Sequence, residues 1–317
     1  MSHEITRRSF IKKSAAIGTS TILGSKALDK VLQGNSGKVF AQERVDVSVV
    51  EGQDYYRSTI KAVEELGGIS RFVPEGSKVA ILPNAQRNNP GAYTNSDVVR
   101  GVIKLCKDAG AEKINCLTLQ PLANWESMGY TDMFESEEIE LKYVSNRDEA
   151  QFKNVSISKG KALKEAQVMK ELDNYDLFIN IPITKDHAGT KFTGTMKNMM
   201  GLNFSRNNRT FHKQNWDTDV NAIKHLEQCV ADLNTIVKPA LNIVDATVFI
   251  TTNGPFGPGE LLRPHKVVAG VDRVAIDSYC CTLWDLKPED IYSIGFASEH
   301  GLGEMDLEKV NIRETTI

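Results

Sequence analysis

Short apolar runs alternate along this chain with longer stretches in which apolar residues recur every three or four positions. The runs VDVSVV (45–50), KVAILP (78–83), KINCLTL (113–119), YDLFINIP (175–182), ALNIVDATVFI (240–250) and HKVVAG (265–270) have the length and β-branched content of strands. Helical spacing covers 55–66, 96–109, 161–171, 219–236 and 273–284, and a last helix is expected to begin near Pro288. In the second of these, Val98, Val99, Val102, Ile103 and Cys106 fall on one face and Gly110 supplies the stop, as Gly67-Gly68 does for the first. Positions 124–146 are more polar and predict an irregular excursion with an edge strand at IELKYV (139–144). Strands that are apolar nearly throughout are buried on both faces, and their alternation with helices implies βαβ units. The pattern therefore predicts an α/β fold: a mainly parallel sheet with helices on both faces, in three layers, and no repeat or linker dividing residues 42–317.

Composition narrows the class. Hydrophobic residues make up 41% and charged residues 25% of the 317 positions, a balance that excludes disordered and fibrous proteins. No run of eighteen apolar residues occurs, so no permanent membrane span is expected. The first residues have a separate character. TRRSFIKK places Arg7 and Arg8 before Phe10 and Ile11, a weakly apolar stretch follows, and Val39-Phe40-Ala41 offers a small-residue cleavage site. This segment resembles a twin-arginine (Tat) export signal over residues 1–41. The resemblance implies the Tat translocase as a transient partner and a periplasmic or extracellular location. Seven bases against two acids give the segment a net +5, which leaves −8 on the remainder of a chain whose total is −3. So negative a body repels phosphate backbones and anionic lipid, which argues against nucleic acid as a partner.

Five cysteines stand at 106, 116, 229, 280 and 281 without a C-x-x-C pair or a histidine at zinc-finger spacing. Their apolar surroundings predict buried thiols, and no intrinsic iron–sulfur cluster or cysteine-ligated zinc is expected.

Against the acidic balance, the segment 185–213 gathers six basic residues with one acid, a net +5, and adds His187 and His212. It follows an apolar strand, so it emerges where ligands sit in open α/β sheets. Thr195 is placed to open a short helix, whose free N–H groups beside lysines form a candidate anion site. Gly189-x-x-x-x-Gly194 has the opening spacing of a P-loop, but Thr195-Met196 stand where that motif needs Lys-Ser/Thr, which excludes a nucleoside triphosphatase of that type. A second candidate is TTNGPFGPGE (251–260), in which Gly257 and Gly259 permit close approach to a ligand or tight turning. Asp272 is read as a helix cap. Asp277, inside an apolar helix, requires a partner, and with Asp245 it is a candidate ligand for a divalent metal or an orienting group for a histidine. No Ser-His-Asp or Cys-His arrangement is legible from spacing.

Taken in order, VAILPN, NIPITKDHAGTKFTGTMKNMMG, NGPFGPGE, VVAGVDRVAIDSY and GLGEMD resemble the DUF362 family over nearly all of residues 45–317. The core Lys-x-His and Thr-x-Lys-Asn-x-x-Gly is carried by Lys185, His187, Thr195, Lys197, Asn198 and Gly201. Two departures are visible: Leu82-Pro83-Asn84 stands where members often have Lys-Pro-Asn, and Cys116-Leu117-Thr118 where they often have an acidic glycine-containing turn. The resemblance implies an α/β fold and a shared site, but no established reaction. Relatives often carry ferredoxin-like cysteine clusters, which this chain lacks. The leading expectation is an exported enzyme acting on a small anionic substrate. Lys185, Lys191, Thr195, Asn198, His212, Gly257 and Gly259 would bind the ligand, and His187, Lys197 and Asp277 would act in catalysis. The alternatives are a non-catalytic periplasmic ligand-binding or accessory protein, or a redox subunit served by a separate iron–sulfur partner.

Overall fold

A computed structural model of the chain describes residues 45–317. The expected export segment, residues 1–41, lies outside the described residues. Eight strands form one mixed, mainly parallel sheet: β1 (Val47–Glu51), β2 (Lys78–Pro83), β3 (Lys113–Thr118), β4 (Glu140–Tyr143), β7 (Leu177–Ile181), β8 (Leu241–Ala246), β11 (Lys266–Gly270) and β12 (Ile312–Thr316). Their spatial order is β12-β1-β11-β8-β7-β2-β3-β4. Only β11 runs against the rest, because it is antiparallel to both β1 and β8 while every other pair in the sheet is parallel. Two ribbons complete the strands, β5 (Phe152–Ser156) with β6 (Glu165–Met169), and β9 (Phe249–Ile250) with β10 (Leu261–Leu262).

Side-chain alternation along the strands separates two cores. Val79, Ile81, Ile179 and Ile243 pack with α1 (Tyr55–Glu65), α2 (Ser96–Asp108), α3 (Leu122–Ser127) and α4 (Tyr130–Ser136). Ala80, Leu82, Phe178 and Val244 pack on the other face. There they meet α5 (Thr195–Asn198), α6 (Ser205–Phe211), α7 (Val220–Asn234), α8 (Arg273–Cys281) and α9 (Tyr292–Glu299). This is the expected three-layer arrangement. Asp54, Asn95, Asp219 and Asp272 each accept backbone N–H bonds at the start of a helix, so Asp272 has the capping role read from the sequence.

The structure corrects four local expectations. Residues 161–171 do not form a helix despite their good helix formers. Ala166 and Val168 are buried while Glu165 is exposed, a period of two, and 165–169 pair with β5 as a hairpin ribbon. The excursion at 124–146 is two short helices before β4, built around Trp125, Tyr130 and Phe134, whose ring centroids lie 5.1–5.6 Å apart. The run 240–250 divides into β8 and β9, which belong to different sheets. Pro288 opens a single 3₁₀ turn, with the helix following at Tyr292. The edge strand β12 carries no strong apolar alternation, and its partner β1 supplies the reason it is extended.

The connections define one functional position. From β2 the chain moves outward to β3 and β4, whereas β7 leads the other way to β8. The direction of winding therefore reverses between β2 and β7. In open α/β sheets, the crevice beyond the carboxyl ends at such a point is where ligands bind.

Candidate functional site

A cleft of about 420 Å³ opens at this reversal. Its wall is drawn from the ends of β2 (Leu82 to Gln86) and β3 (Leu117 to Gln120), the segment after β7 (Lys185, His187, Thr193, Lys197, Asn198), α6 (Asn208, Arg209) with His212 just after it, and the loop residues Pro255 and Phe256. Among the described residues the wall contains no aspartate or glutamate. Three cations and two imidazoles thus face a space without a counter-charge.

Lys185 is wholly buried. Its Nζ donates to Asn84 Oδ1 at 3.0 Å and to the carbonyl of Ala92 at 2.5 Å. From there the amides run in one direction. Asn84 Nδ2 donates to Asn198 Oδ1 (3.0 Å), Asn198 Nδ2 to Asn180 Oδ1 (2.8 Å), and Asn180 Nδ2 to Asn242 Oδ1 (3.0 Å). Asn242 Nδ2 then reaches the carbonyl of Gly270 at 3.4 Å. Asn180 and Asn242 are register partners on adjacent strands, which brings their amides together. Each donor polarises the next, so the chain holds together better than isolated pairs would. It fixes both the lysine and, through Asn198, the end of α5. Burial pushes Lys185 down to about 7, and the charge of Lys197 adds to the shift.

His187 is 4% exposed, and its Nδ1 has no hydrogen-bond partner within the protein, nor has Oγ1 of Thr193 beside the same cleft. Burial drives the imidazole pKa down, with further depression from Lys197, His212 and Lys185, so the ring is neutral at pH 7. Trp216 lies between the two histidines, its ring centroid 5.3 Å from His187 and 5.0 Å from His212. His212 Nδ1 donates to the carbonyl of Asn208 at 3.1 Å, which leaves its Nε2 unprotonated in the neutral ring. Lys197 is half-buried and donates to Thr190 Oγ1 at 2.7 Å. Burial lowers its pKa, while the buried carboxylate of Glu227 on α7 opposes the shift. Glu227 is lifted in turn by burial and accepts the Ser293 amide at 2.8 Å.

Two glycines allow the segments to meet. A Cβ at Gly194 would lie 2.3 Å from Asp277 Oδ1, and one at Gly254 would lie 1.8 Å from the carbonyl oxygen of Asp186. Gly254 N–H donates to Asp186 Oδ2 at 2.7 Å, so the glycine-proline loop is latched directly onto the Lys-Asp-His segment.

Several expected site residues lie elsewhere. The carboxylate of Asp277 accepts the amides of Thr195 (2.6 Å) and Met196 (3.1 Å). The protein's own acid therefore fills the helix start that was read as a ligand anion site. Asp277 neither touches His187 nor lines the cleft; burial lifts it to about 6 while the two amides hold it down. Thr195 Oγ1 donates to the Arg273 carbonyl, again away from the cleft. Asp245 accepts N–H bonds from Asn95 and Thr247 and the Thr247 hydroxyl, which occupies both oxygens. Lys191 is exposed, in a left-handed turn (φ 59°), and outside the wall. Gly257 and Gly259 shape the loop that presents Pro255 and Phe256, without lining the cleft themselves. Lys185, His187, Lys197, Asn198 and His212 are brought together.

Among the described residues no group of three or more His, Cys, Asp or Glu side chains is placed to hold a metal ion, and the five cysteines are buried and unbridged. Sequence reading missed Asn84, Asn180, Asn242, Arg209, Trp216 and Glu227. A signal existed for some of them. Asn180 is the one polar residue of β7, Asn242 is the one amide of β8, and Glu227 falls on the buried stripe of its helix four residues after Ile223.

A family model described as a domain of unknown function (DUF362) matches residues 79–282. The chain is 24% identical over 275 residues to Thylakoid-associated protein sll1697 of Synechocystis sp., covering 81% of this chain and 79% of that protein. Among solved structures, it is similar to the lactate racemase apoprotein of Thermoanaerobacterium thermosaccharolyticum, with a TM-score of 0.46 and 16% identity. That match covers 81% of this chain, which spans 58% of the length of the solved one.

The amide chain generates a stability prediction. Asn198→Ala strands Asn84 Nδ2, Asn180 Oδ1 and the Leu82 carbonyl, at about 1–3 kcal/mol for each buried group left unpaired. Urea denaturation of this variant should show a clear loss, and the effects of Asn84→Ala and Asn180→Ala should be non-additive because they share Asn198.

Proposed function

This chain belongs to the DUF362 family, and from that premise we propose that it is an exported enzyme that binds a small organic anion in the cleft and moves a proton on it. One observation carries the reading: a buried, unpartnered Nδ1 of His187 stands in a cationic wall that has no carboxylate. Lys185 and Lys197 supply charge for an oxyanion, and each charge-assisted contact in a water-poor cleft contributes about 1.5–3 kcal/mol. The neutral His187 is the group that accepts the proton, and a bound anion then stabilises the imidazolium. Lys185 is held by the amide chain and does not reorganise when the ligand arrives. Trp216 packs against the His187 ring and limits its tilt.

The test begins with a thermal-shift screen of carboxylates and phosphates, followed by product analysis of those that stabilise the protein. His187→Gln should retain ligand binding and lose turnover by about 10²–10⁴-fold. Lys197→Met should weaken binding by about tenfold or more. Stabilisation by ligands without conversion would favour a binding protein. Variants that leave both affinity and turnover unchanged would remove the proposal.

A proton should also enter with the ligand. Burial, with the charge of Lys197 added, holds Lys185 down at about 7, and a bound anion raises it again. The complex then holds more protons than the free protein above pH 7, so affinity falls as pH rises from 7 towards the raised value. Calorimetry at pH 8 in buffers of different ionisation enthalpy should report net proton uptake. Uptake of zero at that pH would contradict the assignment.

Export rests on the twin-arginine segment, and the thylakoid-associated name of the Synechocystis relative agrees with a location at or beyond a membrane. Replacing Arg7 and Arg8 together with lysine should retain the protein in the cytoplasm on cell fractionation. Undiminished export of that variant would refute the Tat route.

A further inference from the structure

Beyond the lip of the cleft the wall continues into a second hollow of about 320 Å³, formed by Asn146, Arg147, Ser205, Arg206 and Arg209. Asn146, Ser205 and Arg209 belong to both spaces, so the two are continuous. The three arginines come from separate parts of the chain, one from the loop after β4 and two from successive turns of α6. Ser205 Oγ donates to the Asn146 carbonyl at 3.4 Å, which ties these segments together at the shared edge. The three arginines are exposed at the rim of one hollow, where they concentrate positive charge that an anion can meet. Among the described residues one carboxylate comes within 4 Å of any of them, Glu149 at 3.8 Å from Arg206. Both partners of that pair are exposed, and such pairs contribute little. The arginines are also set on a body whose expected net charge outside residues 1–41 is −8.

We propose that the hollow is a second anion subsite, and that the ligand of the cleft is an elongated organic anion charged at both ends. Its reacting end lies among Lys185, Lys197 and His187. Its far end, a carboxylate or a phosphate ester, is gripped by Arg147, Arg206 and Arg209. Guanidinium suits the distal position because its fixed fork pairs two oxygens at once, whereas the lysines at the other end act as point charges beside a proton donor and acceptor. Arg209 borders both spaces and marks the path of the connecting carbons. The inference rests on the anion-binding reading of the cleft and adds the class of ligand.

Calorimetry on the folded full domain distinguishes the two claims. Acetate probes the cleft alone. Dicarboxylates from glutarate to suberate, and ω-phosphonocarboxylates of matching length, probe both spaces and separate a carboxylate from a phosphate-type terminus. At one chain length the two-ended probe should bind about tenfold or more tighter than acetate, as expected when a second contact becomes intramolecular. In the Arg147→Ala/Arg206→Ala variant, checked for folding by circular dichroism, that ratio should collapse to about one. Acetate binding with a ratio near one at every length, or a ratio indifferent to the two arginines, overturns the subsite and leaves the cleft reading standing. Absence of acetate binding sensitive to Lys197→Met overturns the cleft reading and the subsite together.

Discussion

A lysine buried without a carboxylate is the constraint on which the site depends. Lys185 is removed from water, and the groups that receive its N–H bonds are an amide oxygen and a backbone carbonyl, neither of them charged. Neutral acceptors can hold an amine but cannot neutralise an ammonium, so burial moves the proton affinity of Lys185 into the physiological range. A nearby aspartate would have fixed the positive charge permanently and closed the position to any other anion. The amide chain does the opposite: it positions the nitrogen and leaves its charge state responsive to what enters the cleft.

The same economy extends through the surrounding carboxylates. Asp277, Asp245 and Asp186 each accept backbone amides of their own structure, and these interactions build the walls: Asp277 starts α5, Asp245 joins the ends of β8 and α2, and Asp186 latches the glycine-proline loop. Negative charge close to the site is thus used for architecture, and positive charge is left over. Glu227 is the exception, since its influence reaches Lys197 through the core. Its own proton affinity is raised by burial as that of Lys197 is lowered, and of the two Lys197 lines the cleft.

The fold was legible because burial on both faces of a strand leaves an unmistakable apolar run, and six of the eight main-sheet strands followed directly from such runs. Two strands were missed for one reason: they are short elements whose conformation is set by a neighbour. β6 is made of helix formers and extends because β5 pairs with it, and β12 extends because β1 does. At the site, chemistry that clusters in sequence was visible. Lys185, His187 and Lys197 lie within thirteen residues, and the strand before them points to the right edge of the sheet. Contacts between distant segments were not visible. Nothing near residue 84, 180 or 242 announces that these asparagines join Asn198 in one hydrogen-bonded line of four, because that depends on sheet order.

Asp277 shows how one buried carboxylate can be answered by a partner the sequence did not offer. A carboxylate in an apolar helix demands a partner, and the sequence offered a histidine or a metal. The structure supplies two backbone amides, at the helix start that had itself been read as a site for a ligand. Each of these unexplained features answers the other. Once they are paired, the anion binding proposed for the cleft rests on side chains alone, on Lys185, Lys197 and Arg209 of its wall. This changes what selects a ligand. A helix terminus binds any oxyanion small enough to reach it, whereas two lysines whose protons leave near neutral pH favour an anion that can bring a proton with it or accept one from them.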